Sequence, residues 1–285
     1  MADKCWLCDH SDLIKTKDSN IQDVESKDFA ITNSNYGVTH AIYQCQNCNF
    51  LQCSENGDVL GYYEDLVDPE YESTRASRKL QEEKVLDLIE KYKTGGRLLD
   101  IGAGSGILVE AAKERNYEAV GIEPSKWLVE KAKERGLPIQ LGIFPSPEVT
   151  GKFDIITLVD VIEHVDNPRQ LVQDISEYLT DDGIFVMVTP DVNSFFAKTL
   201  GHKWWHYRVA HIGYFNKSTM EKLTQSAKLK TQKLLRPSWY FSLSYLIQRV
   251  YTYLPKFLRI PLPNFLSKII IPLNLRDSWM GIYSK

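Results

Sequence analysis

The feature that most restricts the fold of this sequence is a regular alternation of strands and helices between Arg97 and Asp191. Short apolar runs such as RLLDI and KFDIITLVD predict five strands, and longer periodic segments such as SKWLVEKAKERG predict the helices between them. Strands joined by crossover helices pair in parallel. The chain is therefore predicted to form a doubly wound α/β sheet, with its ligand at the carboxyl ends of the strands.

The first of these strands runs directly into a glycine-rich turn, LLDIGAGSG, at residues 98–106. Gly102, Gly104 and Gly106 permit positive φ angles and a close approach of ligand to backbone, and the following helix offers free N–H groups. The loop fits the dinucleotide fingerprint G-x-G-x-x-G poorly, because residue 107 is isoleucine. Glu123 ends the next strand, in GIEPS, where its carboxylate can accept hydrogen bonds from two ribose hydroxyls.

Four segments, LLDIGAGSG, GIEPS, FDIITLVDVIEHVDNP and LTDDGIFVMVTPD, together resemble the class I S-adenosylmethionine-dependent methyltransferases, in particular the ubiquinone-biosynthesis-like O-methyltransferase group. The resemblance covers roughly residues 96–191. It implies a Rossmann-like sheet, S-adenosylmethionine as cofactor, and transfer of a methyl group to a small molecule.

The same resemblance assigns contacts to the cofactor. Asp100 would orient the glycine loop near the methionine moiety, with Gly102 and Gly104 passing beneath it. Glu123 would bind the ribose hydroxyls, and Asp160, after the fourth strand, would lie beside the methyl group. The complete predicted set is Asp100, Gly102, Ala103, Gly104, Gly106, Glu123, Pro124, Gly142, Ile143 and Asp160.

Within this set, Gly142 and Ile143 follow the third strand and would flank the adenine. The wider family often carries an acidic residue at this position, and this sequence does not. The adenine contact is therefore expected to differ from the usual one.

All five cysteines lie in the first fifth of the chain. Cys5/Cys8 and Cys45/Cys48 form two C-x-x-C pairs separated by 36 residues, and together they supply the four thiolates of a structural tetrahedral zinc site. The start, MADKCWLC, lacks the basic and apolar pattern of a signal peptide, so a cytoplasmic protein with reduced thiols is expected.

This cysteine-rich segment resembles the N-terminal module of some sugar and polyketide-associated methyltransferases. A closed four-thiolate site leaves no open position for chemistry, so a structural or substrate-docking role is predicted. Cys53 is predicted to be a buried thiol, and His10 is a rival ligand.

The segment DVIEHV places Asp160, Glu163 and His164 within one turn after the fourth strand. Three interpretations stay open. His164 has a side chain suited to a general base, with Glu163 beside it. The three residues resemble a site for a divalent cation that activates a phenol, as in the ubiquinone-type enzymes. Alternatively, Glu163 and His164 only cap the next helix.

Residues 192–216 form an insertion rich in aromatic residues and histidine. His211 begins HIGYF, which resembles the HxxxF that follows the fifth strand in related enzymes, so His211 is a candidate substrate-facing and catalytic residue. His202 and His206 are expected to hydrogen-bond locally in a packed cover. The tyrosines of GYYEDLVDPEY either close over the cofactor or simply pack.

The C-terminal arm, residues 237–275, is aromatic and basic. No acidic residue occurs between Glu221 and Asp277, a span that holds ten Lys and Arg, including Arg249, Lys256 and Lys268. Such a composition suits contact with an anionic membrane surface or a phosphorylated, lipid-linked substrate, or else a simple cap on the sheet. The net charge of −3 argues against a nucleic-acid partner.

The domain organisation follows from these segments. Residues 1–55 are predicted as the zinc module, 56–95 as a linker and helical cover, and 96–285 as the methyltransferase domain with insertions at 192–216 and 237–275. A helix is expected from Ser77 to Lys93, and SWMGIYSK is expected as a last edge strand.

The acceptor is predicted to be a hydroxyl of a sugar, a lipid-linked glycan or a phenolic quinone precursor. The competing hypotheses are a non-catalytic module that docks a partner through the zinc unit, and a nicotinamide-dependent oxidoreductase. Ile107 argues against the oxidoreductase.

Overall fold

The structure, a computed structural model, describes residues 4–53, 59–251, 254–255 and 258–285. The chain begins with three antiparallel strands, β1 (Leu13–Lys17), β2 (Ile42–Cys45) and β3 (Leu51–Cys53). One cysteine pair precedes β1. In the other pair, Cys45 ends β2 and Cys48 lies in the turn that leads to β3. The three strands therefore bring the two pairs of cysteines to the same end of a small sheet.

Three helices follow, α1 (Val59–Glu64), α2 (Pro69–Ser73) and α3 (Arg75–Ile89). Asp68 caps α2, because its side chain accepts a hydrogen bond from the amide of Tyr71, and Pro69 occupies the first helical position. The helix expected from Ser77 to Lys93 thus begins and ends earlier than its apolar pattern indicated.

The predicted alternation of strands and helices is confirmed. Its helices start at good caps: Ser125 and Asn167 each accept a hydrogen bond from an amide of the first turn, and Pro168 opens the second of these helices. The elements are β4 (Arg97–Ile101), α4 (Ile107–Glu114), β5 (Glu118–Glu123), α5 (Lys126–Lys133), β6 (Ile139–Leu141), β7 (Phe153–Val159), α6 (Pro168–Tyr178) and β8 (Leu179–Pro190).

The remainder of the chain adds short elements. They are α7 (Phe195–Leu200), β9 (Gly213–Tyr214), α8 (Lys217–Ser226), β10 (Lys230–Leu235), β11 (Trp239–Ser242), α9 (Leu243–Tyr251), β12 (Ile270–Leu273) and β13 (Ser278–Ser284).

The central sheet has seven strands in the order β10-β13-β8-β7-β4-β5-β6. Strands β4 to β8 pair in parallel, and β13 runs antiparallel to both of its neighbours. The doubly wound α/β fold is therefore confirmed. The order in which strands are added to the sheet reverses at β4, so the carboxyl ends of β4, β5 and β7 form a crevice for a ligand.

The expectation that SWMGIYSK forms an edge strand is wrong, because β13 lies between β8 and β10. Met280, Ile282 and Tyr283 are buried, whereas Lys230 and Lys233 of β10 are exposed. A strand with apolar side chains is stable inside a sheet, and lysines are tolerated at its edge.

The insertion at 192–216 pairs with the N-terminal strands. Strand β9 extends the small sheet to the order β1-β2-β3-β9, through Leu51 opposite Tyr214 and Gln52 opposite Gly213. Phe50 of the module also packs against Phe215, with ring centroids 4.9 Å apart and ring planes tilted by 52°. The cysteine-rich module and this insertion therefore pack against each other.

The C-terminal arm folds as a two-stranded sheet of β11 and β12, with α9 after the first strand. Its surface is partly apolar, since Val250, Ile260 and Phe265 are exposed. Tyr253, Lys256 and Phe257, which the sequence analysis assigned to this arm, lie outside the described residues. Among the helices of the described segments, none has the length and apolar character to cross a bilayer.

Candidate functional site

A large cavity opens at the carboxyl ends of β4, β5 and β7, with a volume of about 800 Å³. One wall is the glycine loop with the start of α5. The opposite walls come from α3, from the loop around Phe29 and Ile31, and from Trp239 and Tyr245 of the C-terminal arm. A volume of this size lies towards the upper end of the range for small-molecule sites.

Glu123 connects the glycine loop to the floor of the cavity. Its Oε2 accepts a hydrogen bond of 2.9 Å from the amide of Gly104, and its Oε1 accepts one of 2.9 Å from the amide of Ser125. Each oxygen keeps a further lone pair. The carboxylate is thereby held in place while it can still accept hydrogen bonds from a ligand.

Gly102 and Gly104 both adopt positive φ, at 73° and 54°. A Cβ at Gly104 would lie 2.7 Å from the hydroxyl of Tyr71, and one at Gly102 would lie 2.4 Å from Val161. Glycine is therefore required at both positions for conformation and for space. Gly106, in contrast, does not line the described cavity: it precedes α4, and its missing Cβ makes room for Leu137 and Ile139.

Acidic side chains surround the half of the cavity that lies next to the glycine loop. Asp100 accepts a hydrogen bond of 2.7 Å from Thr157, and burial raises the pKa of Asp100 to about 7. Burial raises the pKa of Glu123 to about 7 as well, although the two amides oppose the change. Glu82 on α3 also faces the cavity, and burial raises its pKa to about 8. This half therefore favours cationic and hydroxylated ligands.

Asp160 follows β7 with a φ of 52°, a left-handed conformation that is uncommon for a residue other than glycine. Its side chain is exposed to the cavity. Enclosure by the protein, and then the charge of Asp277, raise its pKa to about 7, while Arg78 opposes this. A strained acid at the cavity end of a strand is characteristic of a functional position.

Four other residues of the predicted cofactor set also line the cavity. Ala103 and Pro124 line it next to Gly104 and Glu123. Gly142 and Ile143 line it beyond β6, and the Ile143 side chain is 53% exposed. An exposed apolar side chain at the rim of a cavity is suited to cover a flat ring system.

Three ligating side chains converge above the acidic half: Glu163, His164 and His211, whose ligand atoms lie within 4.8 Å of one another. The sequence analysis grouped Glu163 and His164 with Asp160, whereas the structure brings His211 to them from the insertion. The rings of His164 and His211 meet edge to face with centroids 4.7 Å apart.

The proton positions in this cluster follow from its neighbours. Nδ1 of His164 lies 2.7 Å from the carbonyl oxygen of Ala210, which can only accept, so this nitrogen carries the proton and Nε2 is the acceptor. The hydroxyl of Tyr63 also lies 2.8 Å from Nδ1. Burial lowers the pKa of His164 to about 4, so the imidazole is neutral at physiological pH.

Glu163 is in the opposite situation. It accepts a hydrogen bond of 3.0 Å from Thr189 on Oε2, while its buried Oε1 has no partner among the described residues. Burial, followed by the charge of Asp160, raises its pKa well above the usual range. An orphaned buried oxygen beside two neutral imidazoles marks a place for a cation or a hydrogen-bonding ligand.

Two residues of the insertion line the cavity although the sequence analysis gave them no role there, His206 and Arg208. His206 stacks on His211 with ring centroids 5.6 Å apart, and its Nε2 lies 3.6 Å from Asp277. His202 is exposed and lies outside the cavity lining. Both residues lie in the motif HYRVAHIGYF. Their orientation towards the cavity depends on the pairing of β9 with β3, which the motif does not encode.

The four cysteines of the two C-x-x-C pairs form a second cluster, with their Sγ atoms within 4.8 Å of one another. Cys5 and Cys48 are 3.5 Å apart, and Cys8 and Cys45 are 3.6 Å apart. In a tetrahedral site with Zn–S bonds of about 2.3 Å the sulfurs would be roughly 3.8 Å apart. The spacing of the sulfurs therefore fits zinc.

The backbone around these cysteines has the same form in both pairs. The amide of Asp9 donates to the carbonyl of Cys5, the amide of Asn49 donates to that of Cys45, and both donor residues have positive φ. Such tight turns direct both thiols of a pair towards one point. Cys53 is fully buried and apart from the cluster, as predicted, and His10 is exposed.

A model of the methyltransferase-domain family matches residues 71–234. Among curated proteins, the ubiquinone biosynthesis O-methyltransferase of Chromobacterium violaceum is 31% identical over 108 residues, which cover 34% of this chain and 47% of that protein. The enzyme of the same name from Actinobacillus pleuropneumoniae is 32% identical over 119 residues, covering 36% and 51%. The chain thus spans about half the length of the curated relatives it matches.

Among solved structures, a chain from a complex of the Haloferax volcanii Trm112 methyltransferase activator with a methyltransferase superposes with a TM-score of 0.52. The match covers 80% of this chain and 97% of that chain at 12% sequence identity. At this identity the likeness concerns the fold alone.

Proposed function

The chain belongs to the methyltransferase-domain family, and on that premise we propose that it transfers a methyl group from S-adenosylmethionine to a hydroxyl oxygen of a small molecule. The observation that carries the proposal is the hydrogen bond from Gly104 to Glu123 at the floor of the cavity. This hydrogen bond connects the backbone of the glycine loop, which a ligand can approach closely, with a carboxylate that can accept hydrogen bonds from ligand hydroxyls. The relatives named for ubiquinone biosynthesis favour a phenolic acceptor, and the cysteine module favours a sugar or lipid-linked glycan.

The acidic half of the cavity is suited to this cofactor, which carries an ammonium, a sulfonium and a ribose. Glu123 accepts hydrogen bonds from the ribose hydroxyls, and Asp100 and Asp160 stabilise the positive charges. Arg78, which lines the same cavity, would pair with the cofactor carboxylate. Ile143 covers the adenine by apolar contact in place of an acidic residue.

When bound, S-adenosylmethionine supplies a methyl group on a good leaving group, so alignment of the acceptor provides much of the rate enhancement. His164 then has the role of proton acceptor, because Ala210 holds the proton on Nδ1 and leaves the lone pair of Nε2 free. Its pKa of about 4 keeps it neutral but weakly basic at neutral pH, so it takes the hydroxyl proton while the methyl group is transferred and not before.

A second hypothesis for the same cluster is a divalent cation held by Glu163, His164 and His211. It would satisfy the orphaned Oε1 of Glu163, and two imidazoles with one carboxylate form a common ligand set. Titration of the protein with Mn²⁺, with a Glu163→Gln variant beside it, separates the two hypotheses. Mn²⁺ binding that Glu163→Gln abolishes favours the cation. Failure of the wild-type protein to bind Mn²⁺ favours His164 as base.

The N-terminal module is proposed to hold one structural Zn²⁺ through its four thiolates. The C-terminal arm is proposed to contact an anionic membrane peripherally, since Ile260 and Phe265 are exposed near Arg259 and Lys268. Cosedimentation with vesicles of anionic and of zwitterionic lipid tests this contact, and equal or absent binding to the two would refute it.

The cofactor proposal is tested by calorimetric titration of the zinc-loaded protein with S-adenosylmethionine and S-adenosylhomocysteine. Gly104→Ala is compared with Gly136→Ala, because both glycines have positive φ but a Cβ at Gly136 meets nothing within 4 Å. Both variants carry the same conformational cost, of about 1–2 kcal/mol. Affinity is expected to fall at least about tenfold for Gly104→Ala and to stay within about twofold for Gly136→Ala.

Failure of the folded wild-type protein to bind either ligand would contradict the proposal. It would instead support a non-catalytic module that docks a partner through its zinc unit. Equal loss of affinity in the two glycine variants would show that backbone strain, not the cavity contact, is responsible.

A further inference from the structure

Arg208 places a cation in the lining of the cavity. Its guanidinium donates to two backbone oxygens, the carbonyls of Ala30 and Ile31, the latter at 3.1 Å. Within the described segments it forms no ion pair with a carboxylate. A guanidinium has further N–H donors beyond these two, so it can still bind a ligand.

Asp68 acts on this charge from a distance and forms no printed contact with it. Its carboxylate instead accepts hydrogen bonds from the amide and hydroxyl of Thr32, at 3.0 and 2.6 Å, and from the amide of Tyr71 at 3.0 Å. Because Arg208 is largely enclosed, its charge is expensive to leave unpaired. Burial accordingly lowers the pKa of Arg208.

The surroundings of Arg208 are neutral imidazoles. His164, His206 and His211 all have lowered pKa values, first because they are buried and further because Arg208 is close. This end of the cavity therefore carries one fixed positive charge. The other end, around Asp100, Glu123 and Asp160, is acidic. The two halves differ in the sign of their charge.

We infer that Arg208 binds an oxyanion, a carboxylate or phosphate group, on the acceptor substrate. This inference rests on the proposed function, in which the acidic half holds the cofactor and leaves the half with Arg208 for the acceptor. The anionic group anchors the acceptor beneath the arm and the loop at 30–31, and the reacting hydroxyl then points towards His164. The acceptor class is thus an anionic hydroxylated molecule, such as a hydroxybenzoate or a sugar phosphate.

Arg249 provides a matched control. It also donates to a carbonyl of this loop, that of Thr32 at 2.8 Å, but it lies outside the cavity lining and pairs with Glu70. Arg249→Gln therefore loses an anchor of the loop and keeps the charge of the cavity. Arg208→Gln loses both the anchor and the charge.

The test is a titration of the protein, saturated with S-adenosylhomocysteine, with benzoate, pyrophosphate and the neutral benzamide. Wild type is expected to bind at least one oxyanion saturably and benzamide at least tenfold more weakly. Arg208→Gln should weaken oxyanion binding at least tenfold, and Arg249→Gln should change it less than twofold. Saturable binding of benzoate identifies a carboxylate as the recognised group, and saturable binding of pyrophosphate identifies a phosphate.

Three results would overturn the inference: equal oxyanion affinity in wild type and Arg208→Gln, equal affinity for benzoate and benzamide, or no saturable oxyanion binding. Normal binding of S-adenosylhomocysteine in the same samples separates these results from failure of the proposed function. If Arg208→Gln does not fold, Arg208→Lys replaces it. That variant keeps the charge but loses the planar fork, and oxyanion affinity equal to wild type at all salt concentrations would then count against the inference.

Discussion

Loss of zinc from the N-terminal module is predicted to disorganise the acceptor half of the cavity and to spare the cofactor half. Strand β3 of the module pairs with β9, and the amide of Cys53 donates to the carbonyl of Ile212 at 2.8 Å. The amide of Ile212 in turn donates to the carbonyl of Glu163 at 2.8 Å. This chain of contacts leads from the cysteines to His211 and the Glu163 cluster.

The magnitude follows from the small size of the module. A structural zinc site contributes about 10–16 kcal/mol of binding free energy. Among the described residues of the module, Phe29 and Phe50 are the largest fully buried side chains, and each stabilises by roughly 1.5–3 kcal/mol. Without metal the strands β1 to β3 should therefore open, and protection of the amides at 211–215 against hydrogen exchange should fall at least about a thousandfold, which requires only about 4 kcal/mol.

The assay is hydrogen–deuterium exchange of Cys45→Ser and of the chelated protein, with metal content measured in the same samples. His10→Ala is the control, because this exposed side chain lies outside the four-cysteine cluster and its removal leaves the cluster intact. Affinity for S-adenosylhomocysteine should change less than about threefold in all samples. Full protection at 211–215 in zinc-free protein whose residues 45–53 exchange freely would refute the reasoning.

Three further perturbations are predicted to act on stability. Arg236→Met leaves the buried Asp191 without its ion pair of 2.6 Å, and it should lower the free energy of urea unfolding by about 3–5 kcal/mol. Asn167→Ala removes the side-chain cap of α6, and thermal unfolding should show a loss of about 1 kcal/mol. The effect of Glu82→Gln on the free energy of unfolding should be more stabilising at pH 9 than at pH 5, by at least about 1 kcal/mol. The pKa of Glu82 in the folded protein is about 8, so wild type loses stability as the pH rises from the ordinary carboxyl pKa to that value. Equal effects at both pH values would contradict this.

Most of the cofactor half could be predicted from local sequence. The strand RLLDI, the glycine turn and the acid of GIEPS are contiguous, and the geometry of a βαβ unit brings Gly104 and Glu123 together. The fold class and the family were both predicted correctly for this reason. Gly106 shows the limit of the motif, since its glycine serves helix packing and does not face the cavity.

The acceptor half could not be predicted in the same way. Tyr63 and His164 meet across 101 positions of sequence, and Arg208 reaches carbonyls 177 and 178 residues away. No periodicity of the sequence encodes such contacts. Glu163 and His164 were interpreted as partners of Asp160 because the three residues are close in the chain. In the structure the segment that leads into β9 places His211 beside Glu163 and His164.

The sequence by itself determined the elements whose signals are local: the parallel strands, the caps at Ser125 and Asn167, the glycine turn and the pairing of the cysteines within each C-x-x-C. These depend on interactions over a few residues, where propensity and spacing are decisive. Only the tertiary structure decided that β13 lies inside the sheet, that β9 joins the module, and that Arg208 lines the cavity. The physical reason is that these placements follow from burial and strand pairing between distant segments, whose balance no single stretch of sequence contains.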